Sequence, residues 1–190
     1  MASGSPHTEL LEIVVRALEE SDVPYMLTGS FASTIHGISR STFDIDFVIA
    51  PDAVSLRRLV QEFQTKRYYV SPEAADGAFA RAGMFNVIDH ETGLKVDFII
   101  VKPRDFSQTE FERRQPRDAF GVRMFVASPE DVLVAKLEWS KIGGSTRQLE
   151  DAAGIIRRQG KNLDLAYIER WVRELGLEEQ WKAANSAAGG

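Results

Sequence analysis

Apolar residues recur at Leu10, Ile13, Val14, Ala17 and Leu18, the spacing of a helix that buries one face. The next stretch, VPYMLTG, reads as a strand ended by Gly29. Ser30 to about Gly37 reads as a short helix that starts directly at the Gly-Ser turn. In FDIDFVIA the period drops to two: Phe43, Ile45, Phe47 and Ile49 share one face, and Asp44, Asp46 and Val48 share the other. A helix follows from Pro51-Asp52 to about Lys66, with Val54, Leu56, Leu59, Val60 and Phe63 as its buried side. RYYVS is a short strand, and PEAADGAFARAG is a helix or an irregular connection. MFNVIDHETGLKVDFIIV holds two apolar segments around a Glu91-Thr92-Gly93 turn, which is a hairpin signal.

Beyond Val101 the character changes. Residues 105 to 115 pattern as a helix and FGVRMFVAS as one more strand. Ser128-Pro129-Glu130-Asp131 is a helix start, with Ser128 as cap, Pro129 in the first turn and acidic residues next. From there to about Ala184 the pattern is helical, broken at Gly143-Gly144 and around Gly160. The pattern therefore predicts an α/β core over residues 1–127 and a helical region over 128–190. Residues 1–7 and the closing NSAAGG read as frayed ends, and no internal repeat is present.

Composition narrows the class. A chain of 190 residues buries about 70% of its unfolded surface on folding, enough for a core without cross-links. It contains no cysteine, which excludes a disulfide scaffold, a thiolate zinc site and a cysteine nucleophile, and fits a reducing, cytoplasmic location. No apolar run reaches the length of a membrane helix, and the N-terminus lacks the pattern of a signal peptide. A net charge of -5 argues against bulk nucleic-acid binding while leaving room for a local basic patch. Arg113, Arg114, Arg117 and Arg123 form such a stretch, either a solvated face or a steering surface for an RNA acceptor.

The acidic face of FDIDFVIA carries the candidate chemistry. Asp44 and Asp46 sit side by side on one strand face, and Asp97 lies in LKVDFII, again among apolar neighbours. If the two strands pair, three carboxylates converge. Such charges repel, and hard divalent cations such as Mg²⁺ relieve the repulsion. Two metals about 3.5 to 4 Å apart activate an attacking oxygen and steady a leaving one in phosphoryl transfer. The plain alternative is a solvated strand face. The Gly29-Ser30 turn is likewise either an ordinary strand-to-helix turn with Ser30 as cap, or an anion cradle built on free helix N–H groups. An anion cradle some fifteen residues ahead of an Mg²⁺ site describes a nucleoside triphosphate pocket.

LTGSFASTIHGISRSTFDIDFVI resembles the signature of the DNA polymerase β-like nucleotidyltransferases: a Gly-Ser turn, a short helix, an Asp-X-Asp strand and a third carboxylate on a later strand. SRSTFDID looks like the Arg-X-Thr-X-Asp-X-Asp form of small bacterial members. SPEDVLVAKLEWSKIGGSTRQLEDAAGI resembles the C-terminal block of AbiEii-type, toxin-like nucleotidyltransferases, where a helical Lys precedes an Arg…Asp segment. The resemblance spans roughly residues 23–158 and implies a mixed sheet flanked by helices, with a helical C-terminal part completing the NTP pocket. By carry-over, Asp44, Asp46 and Asp97 hold two Mg²⁺ ions, and Asp97 helps deprotonate the acceptor hydroxyl. Gly29 and Ser30 grip the phosphates, Lys136 neutralises the triphosphate, Arg40 is a further phosphate contact, and Arg147 and Asp151 complete the second motif.

The implied activity is Mg²⁺-dependent transfer of a nucleoside monophosphate from an NTP to a hydroxyl of an RNA, protein or small-molecule acceptor, releasing pyrophosphate. A toxin with a cognate antitoxin protein is one form of it. The alternative is a non-catalytic nucleotide- or partner-binding module on the same fold. A metal-dependent phosphohydrolase lacks the His-Asp cluster that would activate water, and no nucleophile elbow or Walker loop is present. His7, His36 and His90 do not have ligand spacing, and His36 reads as a turn or surface residue. Trp139, Trp171 and Trp181 read as core or helix-contact residues.

Overall fold

A computed structural model describes residues 5–37 and 44–189. It divides into two compact units. Of the described residues, the first holds 5–27 and 44–126, and the second holds 28–37 and 127–189.

The first unit is built on a seven-stranded mixed sheet, ordered β3-β4-β5-β2-β1-β7-β6. These strands are β1 (Tyr25–Thr28), β2 (Asp44–Ile49), β3 (Tyr68–Val70), β4 (Met84–Asp89), β5 (Lys95–Ile100), β6 (Gln115–Ala119) and β7 (Val122–Val126). The pairs β1/β7 and β2/β5 run parallel, whereas β3/β4, β4/β5 and β6/β7 are antiparallel. Helices α1 (Pro6–Glu20), α3 (Ala53–Glu62), α4 (Pro72–Arg81) and α5 (Asp105–Glu112) complete the unit. One sheet face packs an aromatic cluster, in which Phe98 lies 6.3 Å from Phe47, 6.1 Å from Phe63 and 5.2 Å from Phe85. Burying a side chain of this size contributes about 2 kcal/mol, so the cluster fixes which face of each strand points inward.

The second unit packs α2 (Gly29–His36) with α6 (Pro129–Gly143), α7 (Thr146–Gln159), α8 (Leu165–Leu175) and α9 (Glu178–Gly189). The short helix α2, expected in the α/β core, thus clusters with the C-terminal helices. Two contacts explain this. His36 Nε2 lies 2.7 Å from the Ala127 carbonyl, and Gln159 Nε2 donates to the His36 carbonyl at 2.7 Å. His36 is therefore buried rather than a surface residue.

Helix also takes in residues read as frayed ends. Ser5 caps α1 by accepting from the Thr8 N–H, Pro6 fits the first turn, and α9 continues to Gly189. The segment ahead of β7 forms a strand, β6, that the sequence reading missed. It pairs with β7 through a Phe120-Gly121 turn in which both residues have positive φ. Trp171 is buried as expected, but Trp139 is 55% exposed, because it lies on the side of α6 away from the buried Leu133 and Leu137.

A polar cluster of the first unit centres on a buried carboxylate. Asp89 is fully buried, and Arg67 donates to it from Nη2 at 2.9 Å and to Glu9 from Nη1 at 2.9 Å. Burial pushes the Asp89 carboxyl up, but hydrogen bonds from Arg67, the Glu91 N–H and Thr92 outweigh it and hold the group below its ordinary range. A carboxyl lowered by folding contributes stability that is present above its ordinary pKa and lost as pH falls through the lowered value. Arg67→Met should cost about 3 kcal/mol in urea denaturation at neutral pH, because it leaves a buried charge unpaired. The deficit should shrink below about pH 4 as the carboxyl protonates. An unchanged midpoint at neutral pH would contradict the assignment.

Candidate active site

β2 and β5 lie in parallel register, with Asp44 opposite Lys95, Asp46 opposite Asp97 and Val48 opposite Ile99. Side chains alternate along each strand, so Ile45, Phe47, Ile49, Val96, Phe98 and Ile100 enter the core and are buried. Asp44, Asp46, Lys95 and Asp97 share the opposite face. Asp46 and Asp97 are direct cross-strand neighbours, about 4.8 Å apart at the backbone. The strand pairing required for the three aspartates to converge is present. Asn86 of β4 stands opposite Asp97 and extends the polar row by one strand.

The environments of these groups differ. Asp44 is half exposed, whereas the Asp97 side chain is 8% exposed. Lys95 Nζ donates to Asp97 Oδ2 at 2.9 Å and lies 3.7 Å from Asp44 Oδ1. The other oxygen of Asp97, Oδ1, is buried with no hydrogen-bond partner. The hydrogen bond to Asp97 raises the Lys95 ammonium above its ordinary pKa, and the charges of Asp97, Asp44 and Asp46 outweigh the opposing effect of burial.

Buried carboxylate oxygens are costly without a partner, and hard divalent cations prefer such oxygens. The donor set and the orphaned Asp97 oxygen therefore fit Mg²⁺. Among the described residues, no three acidic or histidine side chains stand in a ready-made metal-holding arrangement. The ammonium of Lys95 is the cation that Asp44 and Asp97 share in this structure. Lys95 was missed in the sequence, although its i, i+2 spacing to Asp97 is the same signal that joined Asp44 to Asp46.

The remaining sequence candidates lie in the second unit, apart from Arg40, which falls outside the described residues. Gly29 opens α2 with φ of 63°, a conformation that favours glycine. The helix cap is Thr28, whose side chain makes no capping hydrogen bond, so Ser30 is not the cap but lies within the first turn. Ser33 Oγ donates to the Gly29 carbonyl at 2.9 Å, and Thr34 Oγ1 donates to the Ser30 carbonyl at 3.1 Å. Lys136 is buried on α6 and pairs with Asp151 of α7 at 2.9 Å, both side chains less than a tenth exposed. Arg147, one helical turn ahead of Asp151 on α7, is exposed.

No protein-family model and no curated protein sequence matches the chain. Solved structures do. ANT(2'')-Ia in complex with adenylyl-2''-tobramycin aligns with a TM-score of 0.63 at 12% identity, covering 92% of this chain and 99% of that one. The fold is that of the nucleotidyltransferases. The lincosamide antibiotic adenylyltransferase LnuA, bound to lincomycin, shares this nucleotidyltransferase fold with a TM-score of 0.54 at 14% identity, covering 80% of this chain and 96% of that one. An antigenic nucleotidyltransferase-like protein from Paracoccidioides brasiliensis aligns with a TM-score of 0.52 at 16% identity, over 95% of this chain and 94% of its own. Among the described residues no helix is long and apolar enough to cross a membrane.

The buried pair of the second unit gives a check that does not depend on catalysis. Lys136→Met should remove the ammonium that Asp151 Oδ2 meets and lower stability by about 3 kcal/mol. The double variant Lys136→Met/Asp151→Leu should recover most of the loss. Equal stability of the single variant and the wild type, measured by thermal and urea unfolding, would show that the pair is not closed in solution.

Proposed function

We propose that this protein is an Mg²⁺-dependent nucleotidyltransferase that moves a nucleoside monophosphate from an NTP to an acceptor hydroxyl and releases pyrophosphate. The observation that carries the reading is the acidic face of the first unit: Asp44, Asp46 and Asp97 on two paired strands, with a buried Asp97 oxygen lacking any hydrogen-bond partner. When bound there, Mg²⁺ would supply charge neutralisation at the transferring phosphoryl group. Asp44, Asp46 and Asp97 are its proposed ligands, with two ions as the expected complement. Asp97, the least exposed of the three, is also proposed to take the proton of the acceptor hydroxyl.

Further residues are proposed as contacts of the donor's phosphates. Gly29 and Ser30 would hold them through the start of α2, where helix N–H groups and the positive end of the dipole favour an anion. Lys136 and Asp151 are proposed as a preset pair, with Lys136 supplying positive charge toward the triphosphate and Asp151 holding it in place. Arg40 and Arg147 are proposed as further phosphate contacts.

A small-molecule hydroxyl is the favoured acceptor. Two structural neighbours are named for antibiotics, ANT(2'')-Ia with adenylyl-2''-tobramycin and LnuA with lincomycin, and the chain spans nearly all of both. The second reading is a toxin that modifies RNA or protein and is restrained by an antitoxin. What favours it is the Lys136…Arg147…Asp151 motif, of which Lys136 and Asp151 form a buried pair. Of the basic stretch, Arg117 and Arg123 are exposed, whereas Arg114 is stacked 4.2 Å from the Phe111 ring centroid.

Calorimetry with each of the four NTPs, with and without Mg²⁺, tests the donor site. Binding should require Mg²⁺, and Asp46→Asn should weaken it. In a turnover assay with labelled NTP and aminoglycoside, lincosamide and tRNA acceptors, Asp46→Asn should lower kcat/KM about 1000-fold, or about 4 kcal/mol. Binding without transfer to any acceptor, unaffected by Asp46→Asn, would instead indicate a non-catalytic module. No binding of any NTP would contradict the nucleotidyltransferase reading.

A further inference from the structure

Lys95 sets an ammonium against two carboxylates of the acidic face, and it comes from the same strand as Asp97. Its ammonium bridges two strands, touching Asp97 Oδ2 at 2.9 Å and standing 3.7 Å from Asp44 Oδ1. Three carboxylates on adjacent positions of a paired sheet repel one another, and a single ammonium offsets part of that repulsion. The contact also divides Asp97 into two unlike oxygens: Oδ2 is tied to Lys95, while Oδ1 is buried and without a partner. Asp44 and Asp97 thus face Lys95, and no ready-made three-ligand cluster stands among the described residues.

We infer that Lys95 is a positioning residue of the metal site, an internal counter-cation that holds the acidic face together in the metal-free protein and competes with the divalent ion for Asp44 and Asp97. The inference rests on the proposed metal role of the three aspartates. Two consequences follow. Removing the ammonium takes from Asp97 the cation bound to its Oδ2 and raises the repulsion on the acidic face, so the metal-free protein loses stability. It also removes a positive charge a few ångströms from the incoming ion, so the ion binds more tightly. A residue that merely supported the fold would produce the first effect without the second.

The test uses Mn²⁺ alone as the probe, with free ion followed by electron paramagnetic resonance, and thermal unfolding in EDTA and in Mn²⁺. The proteins are the full-length wild type, Lys95→Met, Lys95→Arg and Asp97→Asn. Lys95→Met should melt below wild type in EDTA, bind Mn²⁺ about tenfold more tightly, and gain more thermal stability from Mn²⁺ than wild type does. Lys95→Arg keeps the charge and should stay near wild type in both measurements, while Asp97→Asn should bind Mn²⁺ weakly. If Lys95→Met binds Mn²⁺ no tighter than wild type while Asp97→Asn loses binding, the metal role stands and the competition by Lys95 is overturned. Equal melting of Lys95→Met and wild type in EDTA would overturn the counter-cation role. If neither wild type nor Lys95→Met binds Mn²⁺, the metal reading of the aspartates falls, and the inference with it.

Discussion

The pairing of β2 with β5 in one register sets Phe47 beside Phe98 on the buried side and, through the same pleat, Asp46 beside Asp97 on the other. Neither pairing exists without the other, because a slip of either strand by one residue would turn that strand's aromatic ring out of the core. Two carboxylates about 5 Å apart repel by about 3 kcal/mol at an effective dielectric near 20. The buried rings of β2, β5 and their neighbours contribute about 2 kcal/mol each, so the core outweighs the repulsion and holds the charges in place. The acidic face is therefore a constraint imposed by the hydrophobic core. Lys95, the orphaned oxygen of Asp97 and the affinity proposed for a divalent cation all follow from it.

The second unit disposes of charge differently. Lys136 and Asp151 meet across α6 and α7 with little exposure, and Asp131, fully buried, accepts from Ser128 Oγ at 2.6 Å and from the Tyr167 hydroxyl. Such groups fix geometry more than they add stability, since each is costly if its partner is lost. Gly37 is held just as closely. A Cβ there would come within 3.0 Å of the Ile155 backbone nitrogen and of the Ser33 carbonyl, so α2 is seated against α7 with no room for a side chain. Helix α2, which begins at Gly29, is thus anchored at its far end.

Much of this was legible in the chain because period and turn chemistry are local. The alternation of FDIDFVIA assigned Ile45 and Phe47 to the core and Asp44 and Asp46 to the opposite face, and the Glu91-Thr92-Gly93 turn marked the β4/β5 hairpin. Ser128-Pro129 marked the start of α6, but the same Ser-Pro signal at Ser5-Pro6 and Ser71-Pro72 was not used. Both are capped helix starts, and they place Pro6 and His7 in α1 rather than in a frayed end and resolve α4 as a helix. β6 escaped notice because Pro116, Arg117 and Asp118 read as a polar connection. Proline and charge are what an edge strand tolerates, and β6 is the sheet's edge. Long-range facts were not legible: the burial of His36 depends on Ala127, and the clustering of α2 with the C-terminal helices depends on contacts more than 90 residues away in sequence. Lys95 lay between these cases, readable by its spacing to Asp97 but overshadowed by the carboxylates.

The central claim is that the β2/β5 acidic face holds a divalent cation through Asp46 and Asp97. It is tested most directly by anomalous diffraction from crystals grown with Mn²⁺ and a non-hydrolysable NTP analogue. The account predicts an anomalous peak within ligand distance of both carboxylates, with Asp97 Oδ1 turned toward the ion. Well-ordered Asp46 and Asp97 with no Mn²⁺ peak beside them, or a peak only elsewhere in the protein, would contradict it.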